Sequence, residues 1–131
     1  MTQSRIFLLC SILAFAPSTG WSQASLVIQR GPLAGFTYHQ APQLWTDLRE
    51  GDELILMLER KNAHDSQAVR VTWRDQTIGY LPRNLNGAIA RALDSGIRLN
   101  AHILHLREHP DPRRRIEIEI RVLLDSANRS P

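Results

Sequence analysis

Alternation of apolar and polar residues marks several strands in the chain. Residues 116–122 carry isoleucine or valine at every second position with charged residues between them, which predicts a strand buried on one face. Residues 68–81 hold two such runs joined by a two-residue turn, which predicts a β-hairpin. Residues 98–106 predict a further strand, and residues 33–38 a short one. Residues 54–58 are apolar throughout, which is typical of a strand covered on both faces.

Two short helices are expected from a different spacing. Apolar side chains recur at helical intervals over residues 85–94, with Asn84 before them as a predicted N-cap and Gly96 after them as a stop. Residues 41–49 predict a helix of one or two turns, because Pro42 lies near the start and apolar residues follow at helical spacing.

These elements together predict a mostly β fold. Five or six short strands with two short helices, in a domain of about 100 residues, are typical of a compact, mostly β barrel of the OB or SH3-like kind. The chain shows no internal repeat and no second domain.

The amino terminus has the three-part pattern of a secretory signal peptide. One basic residue, Arg5, precedes an apolar run at 6–16, and small residues at Ser22 and Ala24 form a cleavage site. The apolar run is shorter than the roughly 20 residues of a spanning helix. We therefore predict a signal peptide at 1–24, a domain at 25–125, a disordered tail at 126–131, and export to the periplasm or the medium.

Composition narrows the possible chemistry. The 131 residues include one cysteine, which rules out an internal disulfide and any multi-cysteine metal site. Nucleotide-binding and common hydrolase motifs are lacking. His102 and His105 would lie on opposite faces of a strand, so they are not expected to share a metal. We predict no catalysis, no cofactor and no metal.

The net charge of +3 is modest, so only clustered cations could attract an anionic partner.

Three stretches of the chain resemble the HIRAN domain family. They are residues 34–38 (AGFTY) with the turn 51–54 (GDEL), residues 58–71 (LERKNAHDSQAVRV) and residues 78–96 (IGYLPRNLNGAIARALDSG). The resemblance covers nearly all of residues 33–123 and is closest to small free-standing bacterial relatives. It implies a compact, modified OB-like barrel with two short helices that binds single-stranded DNA, in one well-understood member by capturing a free 3′ end. Such domains are often attached to helicase motors. We do not expect motor activity of this chain, since the sequence lacks the motor motifs.

The resemblance also implies roles for particular residues. Tyr38 matches the tyrosine that stacks on a terminal base, and Asp65 matches the carboxylate that accepts the 3′-hydroxyl. Asn62 matches a loop asparagine, whereas His64 stands where the family usually has a second stacking tyrosine. A purely structural interpretation stays open for each: Tyr38 as a core or rim aromatic, and Asn62 and Asp65 as residues that bond to their own loop backbone.

Tyr80 and Arg83 match a stretch that lies beside the DNA backbone. Arg83 and the N–H groups of residues 84–87 could form a site for one phosphate. The basic run at 113–115 is either a solvated face or an extension of a nucleic-acid or lipid contact.

Two functions therefore compete. The first is a non-catalytic nucleic-acid-binding module for single-stranded DNA and its 3′ end. The alternative is an exported envelope interaction module that binds a protein or another anionic ligand. In both cases we expect a monomer without a membrane span once the signal peptide has been removed.

Overall fold

The computed structural model describes residues 24–124, in which six antiparallel strands form one sheet in the order β1-β6-β5-β2-β3-β4. The strands are β1 (Ser25–Pro32), β2 (Glu53–Leu58), β3 (Val69–Trp73), β4 (Gln76–Tyr80), β5 (Leu99–Leu106) and β6 (Ile116–Leu123), and the helices are α1 (Ala41–Leu44) and α2 (Gly87–Asp94). No helix in this part of the chain is long and apolar enough to cross a membrane. The predicted signal peptide, except for Ala24, and the predicted tail lie outside the described residues.

The sheet curls until its two outer strands almost meet. Directly after β1, the N–H of Leu33 donates to the carbonyl of Ile116 in β6 at 3.0 Å. The next residue, Ala34, exchanges two backbone hydrogen bonds with Tyr80 at the end of β4, at 2.8 and 3.0 Å. A two-residue segment thus connects both ends of the sheet, although no continuous ladder closes it. The mostly β, OB-like prediction is confirmed, with the correction that the barrel is open.

The concave side of the sheet holds the hydrophobic core. Alternate residues of β6 and β3 point into it, as the sequence pattern predicts. Its fully buried members include Leu33, Leu48, Val69, Val71, Ile78, Ile89, Ile103, Ile116, Ile118 and Ile120. The Trp73 indole N–H donates to the Asp52 carboxylate at 2.9 Å, so the one polar atom of this large side chain is paired.

Glu119 is a buried charge on the opposite side of β6. Its carboxylate accepts hydrogen bonds from Arg121 Nε at 2.7 Å and Arg30 Nε at 2.6 Å, and only 2% of its side chain is exposed. These two guanidinium groups lower the pKa of Glu119 below its usual value, against the opposing effect of burial. The sequence alternation predicts Glu119 on the polar face of β6. This prediction is correct, but arginine side chains cover the residue on that face.

Two local predictions about strands are wrong. Residues 33–38 are not a strand: Gly35 takes a left-handed conformation with φ 75°, and Phe36–Tyr38 forms a 3-10 turn. Strand β2 is not covered on both faces, since Ile55 and Met57 are 56% and 47% exposed.

The start of α2 also differs from the prediction. The helix begins at Gly87, two residues later than expected. Its N-cap position is therefore occupied by Asn86 rather than Asn84, and the Asn86 side chain makes no capping bond. The predicted stop is confirmed at Gly96, which adopts φ 75°.

Candidate nucleic-acid interface

The loop between β2 and β3 is shaped by its own side chains. Asn62 Oδ1 accepts the backbone N–H of His64 at 2.9 Å and that of Asp65 at 3.2 Å. Asp65 Oδ1 in turn accepts the N–H of Gln67 at 2.9 Å. Such bonds from asparagine and aspartate to following backbone groups stabilise tight turns without any regular secondary structure. The structural roles considered for Asn62 and Asp65 are therefore present.

The same loop is attached to the beginning of α2. Asn86 Nδ2 donates to Asp65 Oδ2 at 2.8 Å, and Asn86 is only 2% exposed. Arg83 donates from Nη2 to the His64 carbonyl, and its Nε lies 3.7 Å from Asp65 Oδ2. The structure thus brings four of the six predicted site residues, Asn62, His64, Asp65 and Arg83, into one hydrogen-bonded cluster.

The carboxylate of Asp65 is held in its ionised form. Hydrogen bonds from the N–H of Gln67 and the amide of Asn86, with a lesser contribution from the charge of Arg83, lower the pKa of Asp65 against the opposing effect of burial. Each carboxylate oxygen accepts one of the hydrogen bonds described above and can accept a further one. Because 21% of the side chain is exposed, a hydroxyl group from solution can reach it.

Tyr80 lies at the end of β4, beside this cluster but not bonded to it. Its ring contacts that of His39 at a centroid distance of 5.2 Å. A hydrogen bond from the phenol to the Glu59 carboxylate, together with burial and the charge of that anion, raises the pKa of Tyr80 above its usual value. Tyr80 therefore keeps its hydroxyl proton at neutral pH, and Glu59 is the acceptor for that proton.

Tyr38 is the most exposed of the predicted site residues, at 87%. It is the last residue of the 3-10 turn. The chain is bonded to β4 on both sides of this turn: Ala34 pairs with Tyr80 before it, and the Gln40 N–H donates to the Thr77 carbonyl at 3.0 Å after it. Within residues 24–124 its side chain has no hydrogen bond or ring contact. The interpretation of Tyr38 as a core aromatic is therefore wrong, and its ring faces solvent near β4. His64 is likewise exposed.

The expected phosphate site at the start of α2 is smaller than the sequence suggests. The N–H of Leu85 is taken by the carbonyl of Pro82 at 2.8 Å, so it is not open to a ligand. Arg83 points back to the loop instead of toward the first turn of the helix. The N–H groups at 84, 86 and 87 make no backbone hydrogen bond within the described chain.

Asn86 is the site residue that reasoning from the sequence missed. It belongs to the third stretch of the family resemblance, but its contact with Asp65 joins positions 21 residues apart. Only the fold brings these two residues together, so no local pattern reveals the pair. Among residues 24–124 no group of three or more histidine, cysteine or acidic residues is arranged to hold a metal ion.

Comparison with known proteins places this geometry in a family. The family model described as the HIRAN domain matches residues 27–125. A solved structure of a protein from Lactobacillus plantarum is similar with a TM-score of 0.67 and 25% identity, over 78% of this chain and 98% of that one. The HIRAN domain of human HLTF is similar with a TM-score of 0.55 and 16% identity, over 76% of this chain and 78% of that one. No curated protein sequence matches the chain.

Proposed function

The chain belongs to the HIRAN domain family, a family of binding domains whose members generally bind DNA, and from this premise we propose that it captures the 3′ end of single-stranded DNA without catalysis. The site is the loop of residues 62–65 together with the start of α2. It needs no cofactor or metal, since hydrogen bonds and stacking suffice to hold a strand end.

The observation that carries this proposal is the ionised, partly exposed carboxylate of Asp65. Asn86 and Gln67 fix its orientation, and each oxygen can accept one further bond. A terminal 3′-hydroxyl is a donor that such a carboxylate accepts well. A 3′-phosphate is an anion and would be repelled by the Asp65 carboxylate, so Asp65 disfavours a phosphorylated end.

The other proposed site residues offer contacts for the rest of a terminal nucleotide. Arg83 is a cation with 72% of its side chain exposed, placed to attract the nearest phosphate. Tyr38 and His64 offer exposed flat rings for bases, and stacking on an aromatic ring is worth about 1–3 kcal/mol per base. Because an imidazole has less area than a phenol ring, His64 gives a weaker platform than the tyrosine it replaces.

The test compares short single strands that differ only in a 3′-hydroxyl or a 3′-phosphate. We expect the hydroxyl strand to bind about tenfold more tightly, the ratio that one charge-assisted hydrogen bond provides. Asp65→Asn should abolish this ratio, whereas Asp75→Asn, the same change in the exposed turn between β3 and β4, should preserve it. Equal binding of both strands by the native protein, or no binding at low salt, would refute end capture.

Arg83 provides a second, independent measurement. Arg83→Gln should weaken hydroxyl and phosphate strands alike, because the guanidinium attracts any phosphate backbone. It should also reduce the salt dependence by about 0.7 in log–log slope, the value of one phosphate contact on a single strand. An unchanged slope would remove Arg83 from the interface.

We further propose that the protein is exported before it binds its ligand. The proposal rests on the apolar run at 6–16 and the small residues before Ser25. Mass spectrometry of the periplasmic or secreted fraction should find a chain that starts at Ser25. A chain that keeps Met1 in the cytosol would contradict export and leave the binding proposal intact.

A further inference from the structure

Strands β2 and β5 separate soon after they meet. They pair only at Glu53 with His102 and Leu54 with Ala101. In an antiparallel ladder the backbone groups of successive residues point alternately to either side. Because Glu59 N–H donates to Ala68 in the direction of β3, the backbone groups of Leu56 and Leu58 point the other way. Within residues 24–124 the pairing of β2 with β5 does not extend past Leu54, so this edge of β2 is open from Leu56 onward.

A groove of about 620 Å³ lies along that open edge. Its apolar lining comes from β2 and α2 and its cations from the ends of β2 and β3. The lining residues are Leu56, Met57, Leu58, Glu59, Arg60, Lys61, Asn62, Arg70 and Leu93. The groove therefore combines three cations and one carboxylate with an apolar lining. A single strand of nucleic acid is complementary to it, because phosphates can contact the cations and bases can contact the apolar side chains.

Two of these cations lack an anionic partner. Arg70 Nη2 contacts only Met57 Sδ, a weak acceptor, and Arg70 Nε is buried without any hydrogen-bond partner. Lys61 forms no ion pair within the described residues, whereas Arg60 is paired with Asp94. Because Nη2 lies at the surface and has only a weak sulfur acceptor, an oxygen-rich anion in the groove can offer it a stronger one.

The groove is continuous with the candidate interface. Asn62 lines the groove and also orients the N–H groups of His64 and Asp65. Arg70 is the cross-strand partner of Tyr80, so both side chains lie on the same face of the sheet. A strand that ends at Asp65 could therefore enter the groove directly from the loop.

We propose that this groove is a second nucleic-acid subsite, in which Lys61 and Arg70 bind the backbone of the nucleotides on the 5′ side of the captured end. The inference rests on the proposed function, since it takes the position of the 3′ end from Asp65. The groove adds length-dependent affinity, whereas the loop provides selectivity for the end.

The experiment compares a trinucleotide with a ten-nucleotide strand, both with a 3′-hydroxyl, by calorimetry of the full chain at several salt concentrations. In the native protein the longer strand should bind more tightly and with a steeper salt dependence. Lys61→Gln and Arg70→Gln should each weaken the longer strand about tenfold and lower its slope by about 0.7, while the trinucleotide stays within about twofold. Arg74→Gln, which removes an exposed arginine in the turn between β3 and β4 and outside the groove, should change neither strand.

Several results would overturn the subsite. Equal affinities and slopes for the two strands would do so, as would Lys61 and Arg70 variants that weaken both strands alike. Polyglutamate that binds as tightly as the longer strand would show a general site for acidic chains. Lys61 lies in an exposed loop, so its variant decides the question even if Arg70→Gln does not fold. Loss of end selectivity while the length effect and its dependence on Lys61 persist would refute end capture and support the groove.

Discussion

Gly79 is the position where the structure leaves no room for even one methyl group. A Cβ atom there would lie 2.4 Å from the carbonyl oxygen of Ala34 and 2.7 Å from Cγ of Leu33. Both neighbours belong to the segment that connects β1 with β4 across the open barrel. Gly79→Ala should therefore push this segment away from β4 and break the contact between the two ends of the sheet.

The expected loss of stability is large. Separation of the segment removes two backbone hydrogen bonds between Ala34 and Tyr80, worth about 1 kcal/mol each. Overpacking against Leu33 and a backbone oxygen adds about 1–3 kcal/mol. The total of about 3–5 kcal/mol is a substantial part of the 5–15 kcal/mol typical of a small domain. For a domain of about 100 residues this corresponds to a fall in Tm of at least about 12 °C.

Urea unfolding followed by tryptophan fluorescence measures this loss, because Trp73 is only 4% exposed. Two other glycines give a graded comparison for the same substitution. At Gly31 the added carbon would lie 3.1 Å from the mobile Cδ1 of Leu85, so we expect a small loss. At Gly87 the nearest atoms are 3.5 Å away, and alanine in the first turn of α2 should stabilise by up to about 1 kcal/mol.

The order of the three variants is the decisive result. Gly79→Ala must be the least stable and Gly87→Ala the most stable, and a Gly79→Ala protein that fails to fold agrees with this order. A Gly79→Ala midpoint equal to that of the native protein would refute the role of this contact in holding the barrel together.

Two further predictions concern buried polar contacts. Because Arg121 and Arg30 lower the pKa of Glu119, its contribution to stability is complete above the usual glutamate value and is lost as the pH falls through the lower folded-state value. Glu119→Gln should therefore destabilise the protein at neutral pH and flatten the acid limb of a urea stability profile; an unchanged limb would contradict this. Asp52→Ala should cost about 1–3 kcal/mol because it leaves the Trp73 indole N–H without its acceptor, and a negligible change in unfolding midpoint would show that water replaces Asp52.

The parts of the fold that the sequence predicts correctly are those with a local signal. The hairpin of β3 and β4 has clear alternation, and its turn residues Arg74 and Asp75 both adopt positive φ, as a tight hairpin turn requires. Strand β1 was missed because its exposed positions carry the apolar residues Leu26 and Ile28, so its regular alternation of burial does not appear as an alternation of apolar and polar residues. The exposure of Ile55 was missed because it depends on where β2 and β5 separate, which is a property of the whole sheet.

In the candidate site, too, the local contacts could be predicted from the sequence and the long-range contacts could not. Asn62 and Asp65 are three residues apart, and their loop bonds follow from residue type and spacing. The attachment of this loop to α2 does not follow from spacing, since Asn86 must be buried next to Asp65 by the packing of the helix. The exposure of Tyr38 likewise depends on Gly35, whose left-handed conformation ends the expected strand and turns the chain.

The structural and the functional interpretation of Asp65 support each other. Its bonds to Gln67 and Asn86 hold the carboxylate in one orientation before any ligand arrives, so little conformational freedom is lost on binding. The same bonds mean that Asp65→Ala would loosen the loop as well as remove an acceptor. A drop in affinity alone would then not separate the two roles. The ratio between hydroxyl and phosphate ends does separate them, because a loosened loop weakens both strands, whereas loss of the charge changes their ratio.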